Sequence, residues 1–497
     1  MKPNLLYESH EPNLQSRVNE QHLLQDLHMD SILTIMSRQD SFVYNTMKKL
    51  MLQPLTDERT ILYRQHILSD LINQFFLINR IYSIVSDIEL QAADYRTIMK
   101  PNFSRNVPIS EKLKYATNLL HFLLDKLQEL RDLGTESSPH CHSKGLINLF
   151  KQLEQRYTDV FLSDARKHQR TLQQTVQNSQ LSIGARIGNG LKITGLTLRK
   201  IETAPLLSFN KIKSGKSSSF HLGHSLKEIE ESALLNVLRI ISRFIGDSLN
   251  FTGLLRFESS FFVGCMNLYK ELTKRGCEVA FPLPVQSNER YLSFTSLYNP
   301  SLAIRIKQQP HTNDLQMDDK SLLIISGANQ GGKTIYLQSI GLAQLMMQCG
   351  LFVPATSFRA SLCDHIFTHF TREEDETMRS GKLDEELSRL DQLIDHLTSR
   401  SLLLMNEPFA STTEREGSVI AKDLLSVCSE MHLRVYIVTH FYELANWAYG
   451  KLENAVFVSP VITKGGPPSY KLSSQKPLPT SYGEDLYHKE MKLNNRN

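Results

Sequence analysis

Little in this 497-residue sequence points to an oxidising or membrane setting. Its six cysteines, at 141, 265, 277, 349, 363 and 428, show no C-x-x-C spacing, which argues against a disulfide framework and fits reduced thiols. His140-Cys141-His142 offers no zinc set, because adjacent side chains rarely converge on one ion and no second ligand cluster accompanies them. No apolar run approaches the ~18 residues of a membrane span, and the opening MKPNLLYESHEPNLQ lacks the continuous apolar stretch of a signal peptide. A cytoplasmic protein without membrane contact is the expectation. Charge of one sign is also scarce: the net charge is +4, so any nucleic-acid contact has to come from a local patch.

What is present is an ordinary globular composition, 41% hydrophobic and 22% charged, in a chain long enough for about three domains. From about residue 20 to 290 the pattern is helical, as in DSILTIMSRQDSFVYNTMKKLML, YATNLLHFLLDKLQELRDL and ESALLNVLRIISRFIGDSL. Residues 181–224 break that periodicity with glycines, β-branched residues and serines, and read as a hairpin followed by a flexible loop. Between Asp164 and Lys216, ten basic residues stand against two acidic ones. That excess suits contact with a phosphate backbone, or equally a solvated charged arm. After residue 320, short apolar strands alternate with helices (SLLIIS, SLLLM, RVYIV), the signature of an α/β domain with a largely parallel sheet. A helical domain over 1–290 and an α/β domain over 291–497 are expected.

The chemistry concentrates in the second part. LLIISGANQGGKT places G-x-x-x-x-G-K-T, Gly327 to Thr334, directly after a strand and before a helical stretch. In that context successive backbone N–H groups turn toward a phosphate, Lys333 reaches the β and γ oxygens, and the Thr334 hydroxyl faces magnesium. SLLLM runs into Asn406-Glu407, a polar pair at a strand end that suits ordering of magnesium and polarisation of an attacking water. RVYIV ends in Thr439-His440, putting an imidazole at the carboxyl edge of the sheet, where ligands of open α/β sheets bind.

GANQGGKT, NEPFASTTEREG and THFYEL resemble the nucleotide-binding motifs of MutS-type ATPases, relatives of the ABC ATPases that act in DNA mismatch repair. YLQSIGLAQLMMQCGLFVPA continues the likeness, as do QPLTDERTILYRQHILSDL, ALLNVLRIISRFIGDSLNF and SLYNP upstream. The resemblance implies an α-helical lever and core domain followed by an α/β ABC-type P-loop NTPase domain, with ATP and Mg2+ as ligands. It implies that Gly327, Ala328, Asn329, Gln330, Gly331, Gly332, Lys333 and Thr334 hold the phosphates. Thr334 and Asn406 would order the metal, Glu407 would activate water and His440 would sense the γ-phosphate. His311 and Asn313 stand where the family contacts adenine. Ser380 and Gly381, in DETMRSGKLDEEL, stand where a partner subunit's nucleotide is completed, although that stretch also reads as an acidic loop opening a helix.

The implied function is an ATP-dependent clamp on duplex or branched DNA in repair or recombination control, as a homodimer or a heterodimer. Arg199, Lys200, Lys211 and Lys213 are the candidate DNA contacts. Two alternatives are a partner subunit of a fuller MutS-type protein and an ABC-type ATPase acting on RNA or protein assemblies. The chain begins almost at the family's core, which leaves no room for the mismatch-reading and connector domains, so a truncated member without direct mismatch recognition is expected. Phe441-Tyr442-Glu443 imitates the family's mismatch wedge in letters only. Asn406 stands where the family carries aspartate, which removes a negative charge near magnesium.

Overall fold

The computed structural model describes all residues except 9–19, 101–106, 179–181, 188–192, 201–221, 328–330, 372–380, 462–468 and 478–497; over 174–178, 182–187, 193–200 and 222–230 it describes backbone alone. By contacts the chain divides into two units, Met1–Leu5 with Gln74–Ser259, and Leu6–Asn73 with Ser260–Asn497.

Among the described residues, the Gln74–Ser259 part of the first unit is mainly helical and carries one hairpin. Its helix Ile109–Ser137 buries Leu113, Leu120, Leu124 and Leu127 at helical spacing, so one apolar stripe faces its neighbours. Strands β1 (Ser182–Ile187) and β2 (Ile193–Lys200) pair antiparallel, as the glycine-rich, β-branched stretch leads one to expect. The helix Leu222–Thr273 follows, and its residues up to Ser259 belong to this unit.

The second unit holds two sheets. One has the order β3 (Leu283–Val285), β7 (Ser357–Ser361), β4 (Tyr291–Leu297), β5 (Asn313–Asp318). The other has the order β12 (Leu472–Ser474), β11 (Ala455–Pro460), β6 (Leu322–Ser326), β10 (Arg434–Thr439), β9 (Leu402–Asn406), β8 (Ile366–Phe370), all parallel except β12. Strands β6, β10, β9 and β8 of this sheet are buried almost throughout, which is why they read as continuous apolar runs and not as alternating ones. The helix Lys333–Gln348, which follows β6, is buried along nearly its whole length, so its sequence is apolar or uncharged on every face after Lys333.

The texture changes near residue 290, but packing divides the chain elsewhere. The helices between Glu20 and Asn73 nonetheless belong with the sheets, through hydrogen bonds that reach across hundreds of positions. Gln338 Nε2 donates to Asp26 O at 2.8 Å, Gln348 Nε2 to Leu55 O at 2.8 Å, and Leu55 N to Gln348 O at 2.7 Å. Arg64, 1% exposed, donates through Nε to Leu6 O and through Nη1 to Cys349 O, both at 3.0 Å, between the rings of Tyr7 and Phe261. The stretch QPLTDERTILYRQHILSDL is therefore a set of anchors for the helix Lys333–Gln348. DSILTIMSRQDSFVYNTMKKLML is not one helix but two, Met29–Ser37 and Ser41–Met51: Arg38 and Gln39 take positive φ, and Asp40 caps the second by accepting from Phe42 N and Val43 N. All six cysteines are free and buried; Cys141 accepts from Gln74 Nε2 at 3.3 Å and serves packing. Among the described residues no helix is long and apolar enough to cross a membrane.

Candidate nucleotide site

Strand register builds the site. In β10, Val438 pairs with Asn406 of β9 on one side and with Ile325 of β6 on the other, and Thr439 pairs with Ser326. Three parallel strands thus end within one residue of one another, and whatever follows each of them emerges at one edge: Gly327 after β6, Glu407 after β9, His440 after β10. A shift of one residue in either ladder would turn that strand's side chains to the opposite face.

Lys333 opens the helix Lys333–Gln348 with Gly332 before it at φ 82°, and Gly327 leaves the strand at φ 125°, both in the region that favours glycine. A Cβ on Gly327 would lie 2.9 Å from Pro460 Cδ, so the turn needs glycine for space as well. Lys333 is 4% exposed; its Nζ donates to Gly327 O at 2.6 Å and lies 4.0 Å from Glu407 Oε1. Burial pushes its ammonium below the ordinary lysine value, against the upward pull of Glu407. His440 Nδ1 lies 3.5 Å from Glu407 Oε2. That hydrogen bond, opposed by burial and assisted by the charges of His440 and Lys333, holds the Glu407 carboxyl below the usual carboxylate range. Glu407 therefore stays an ionised proton acceptor at neutral pH.

Thr334 Oγ1 donates to Asn406 Oδ1 at 2.9 Å, which sets two neutral oxygen atoms side by side at the strand end beside Glu407. Hard oxygen donors of this kind suit magnesium, which keeps several of its waters and takes few protein ligands. No cluster of three or more His, Cys, Asp or Glu residues fit to hold a metal occurs among the described residues.

A cavity of about 630 Å³ opens beside Gly331, Gly332, Lys333 and Thr334, and extends to Asn299, His311, Asn313 and Tyr470. That is the size class of a small-molecule site. His311 lies against the Tyr470 ring at 5.5 Å between centroids, making an aromatic pair at the cavity wall. Asn313 is tied down there, its Oδ1 accepting from Leu472 N at 2.7 Å and its Nδ2 donating to Tyr470 O at 3.3 Å. Tyr470 was not legible as a site residue, since it sits in a loop far along the chain with no periodic or motif signal. Ala328, Asn329, Gln330 and Ser380 lie outside the described residues. Gly381 is described and immediately precedes the helix Lys382–Ile394. Phe441 of the string Phe441-Tyr442-Glu443 belongs to the core of this unit: it is 3% exposed, packed where a Cβ on Gly417 would meet its ring at 2.6 Å, while exposed Glu443 pairs with Lys422 at 2.6 Å.

The MutS2 N-terminal domain family matches residues 56–275, and the MutS domain V family matches residues 323–463. The chain belongs to the MutS family. The first match runs through residues 72–224, where the motifs are sparse. Endonuclease MutS2 of Thermus thermophilus is 25% identical over 353 residues, 70% of this chain and 45% of that protein. DNA mismatch repair protein MutS of Trichormus variabilis is 37% identical over 134 residues, 27% of this chain and 16% of that protein. DNA mismatch repair protein MSH3 of Candida glabrata is 31% identical over 170 residues, 33% of this chain and 17% of that protein. The chain spans less than half the length of these MutS-family relatives.

Of the residues expected to meet nucleic acid, Lys211 and Lys213 lie outside the described residues, and Arg199 and Lys200 close β2 with backbone alone described. The part of the basic run whose side chains are described is Arg166, Lys167 and Arg170 on the helix Asp159–Asn178. With Ser163 and Thr171 they line a polar cavity of about 570 Å³ in the first unit. Arg166 Nη2 donates to Asp125 Oδ1 at 2.9 Å, while Lys167 and Arg170 are exposed.

Proposed function

We propose that this chain is a slow, dimeric MutS-type ATPase that binds duplex or branched DNA in an ATP-dependent manner, in repair or recombination control. The observation that carries the reading is the ending of β6, β9 and β10 at one edge, which gathers Lys333, Glu407 and His440 beside the nucleotide-sized cavity. ATP would lie with its phosphates on the loop Gly327 to Thr334 and its base against His311 and Tyr470. Thr334 and Asn406 would hold magnesium, which when bound neutralises phosphate charge. Glu407 takes the proton of the attacking water, and His440 keeps that carboxylate ionised and oriented. Ser380 and Gly381 would complete the site of a second subunit.

DNA would be held by its backbone, through Arg199, Lys200, Lys211 and Lys213 and through Lys167 and Arg170. Because Phe441 is built into the core, that string cannot insert between bases, and binding without preference for mismatches is the matching proposal. Free buried thiols suit a cytoplasmic setting.

The test is a binding panel of matched duplex, mismatched duplex, junction and structured RNA over a range of salt, with and without ATP. Replacing Arg199, Lys200, Lys211 and Lys213 by alanine should weaken binding to all duplexes alike and flatten the salt slope by up to about one unit per lost phosphate contact. An unchanged slope moves the contact elsewhere, a preference for RNA favours the assembly-remodelling alternative, and a clear mismatch preference overturns the backbone-only reading.

A further inference from the structure

The turn that carries Glu407 is unusual in its backbone. Glu407 and Phe409 both take left-handed conformations, with φ 52° and 62°, and neither is glycine. Such residues are strained and persist only where surrounding structure imposes them. The restraints on this turn come from three elements. Glu407 N donates to Val438 O at 2.8 Å, on β10. Thr371 Oγ1, just past β8, donates to Glu407 O at 2.5 Å and to Asn406 O at 3.2 Å. The third is Glu386, on the helix Lys382–Ile394: its Oε1 accepts from Phe409 N at 2.7 Å and its Oε2 from Ser411 Oγ at 3.2 Å.

Glu386 is 2% exposed, as is His369 of β8, whose Nε2 lies 3.3 Å from Glu386 Oε1. Burial acts to raise the Glu386 carboxyl, yet the bonds from His369, Phe409 N and Ser411 bring it below its ordinary value, so it remains a charged acceptor. A carboxylate is costly to remove from water, and here its two oxygens are given to the left-handed residue and the one two places beyond it. Glu386 does not line the nucleotide cavity.

We propose that Glu386 is a positioning residue for Glu407: its buried carboxylate holds the 407–411 turn in the conformation that aims Glu407 at the attacking water. This rests on the ATPase reading. Without the brace, Phe409 N–H loses its acceptor, the strained turn relaxes, and Glu407 shifts while the phosphate loop stays in place.

Glu386→Ala should lower kcat by about ten- to a hundredfold, the loss expected for a misplacement of order 1 Å, with KM for ATP and ATP-analogue binding stoichiometry unchanged. Glu386→Gln should restore most of kcat, because its amide oxygen still accepts from Phe409 N. Parent-like kcat in Glu386→Ala, or a rise in KM matching the fall in kcat, overturns the proposal. If the alanine variant does not fold, Glu386→Asp decides: it keeps the charge but withdraws the carboxylate by one methylene, so a brace requires aspartate to lose kcat where glutamine keeps it, and parent-like aspartate overturns it. Amide exchange over residues 406–411 reads the brace without turnover. Faster exchange there in Glu386→Asp than in Glu386→Gln supports it even if the parent shows no hydrolysis, which would sink the ATPase reading alone; equal exchange counts against the brace.

Discussion

Glu407→Gln separates binding from chemistry most cleanly. Glutamine has the same shape and the same Cβ, so the left-handed backbone at φ 52° carries no new strain. What changes is one charge, 4.0 Å from Lys333 Nζ. At an effective dielectric of about 20, that separation corresponds to a gross attraction of about 4 kcal/mol, reduced by screening because the carboxylate is partly exposed. Removing it releases the Lys333 ammonium to pair with phosphate oxygens, so ATP affinity should hold or increase. The proton acceptor is lost at the same time. A positioned general base contributes about 10²–10⁴ in rate, or about 2.7–5.5 kcal/mol of barrier. Single-turnover hydrolysis with protein in excess over labelled ATP, alongside equilibrium binding of the same nucleotide, measures both quantities. The expected result is hydrolysis slowed by at least about a hundredfold with binding intact. Hydrolysis at the parent rate would remove Glu407 from its role, and loss of binding together with hydrolysis would show that Lys333 and the loop do not hold the phosphates independently of it.

Asn406→Asp keeps the acceptor for Thr334 Oγ1 and adds the charge that the family carries, so it should lower the magnesium concentration for half-maximal ATPase activity; an untouched magnesium dependence contradicts the metal role. His440→Ala removes the main influence holding the Glu407 carboxyl down. Since the base must be deprotonated, a higher carboxyl pKa moves the acid limb of the kcat profile to higher pH, and a limb that stays put refutes the pairing. Arg64→Ala leaves Leu6 O and Cys349 O buried without their donor and should cost about 2–6 kcal/mol in urea unfolding of the second unit, at about 1–3 kcal/mol per abandoned buried partner. A cost within error of zero would mean that water replaces the guanidinium.

The parts of this protein legible in its sequence are those whose physics is local. A phosphate loop is glycine spacing between a strand and a helix, and LLIISGANQGGKT contains all of it within thirteen residues. Asn406-Glu407 and Thr439-His440 were readable because an apolar run that stops at a polar pair marks a strand end, and parallel strands in one sheet bring such ends to one edge. The hairpin over 182–200 follows from β-branched and glycine content in the same way.

Tertiary structure decided everything that depends on pairs distant in sequence. No periodicity announces that Tyr470 meets His311, that Arg64 reaches Cys349, or that Glu386 takes the amide of Phe409, because each residue alone suits an ordinary loop or helix. The assignment of residues 6–73 to the sheet unit is of the same kind. Helical periodicity identifies the face that is buried, not what buries it, and here the buried partner is a helix nearly three hundred positions away. The sequence determined which groups could do the chemistry; strand register and long-range hydrogen bonds decided which of them meet.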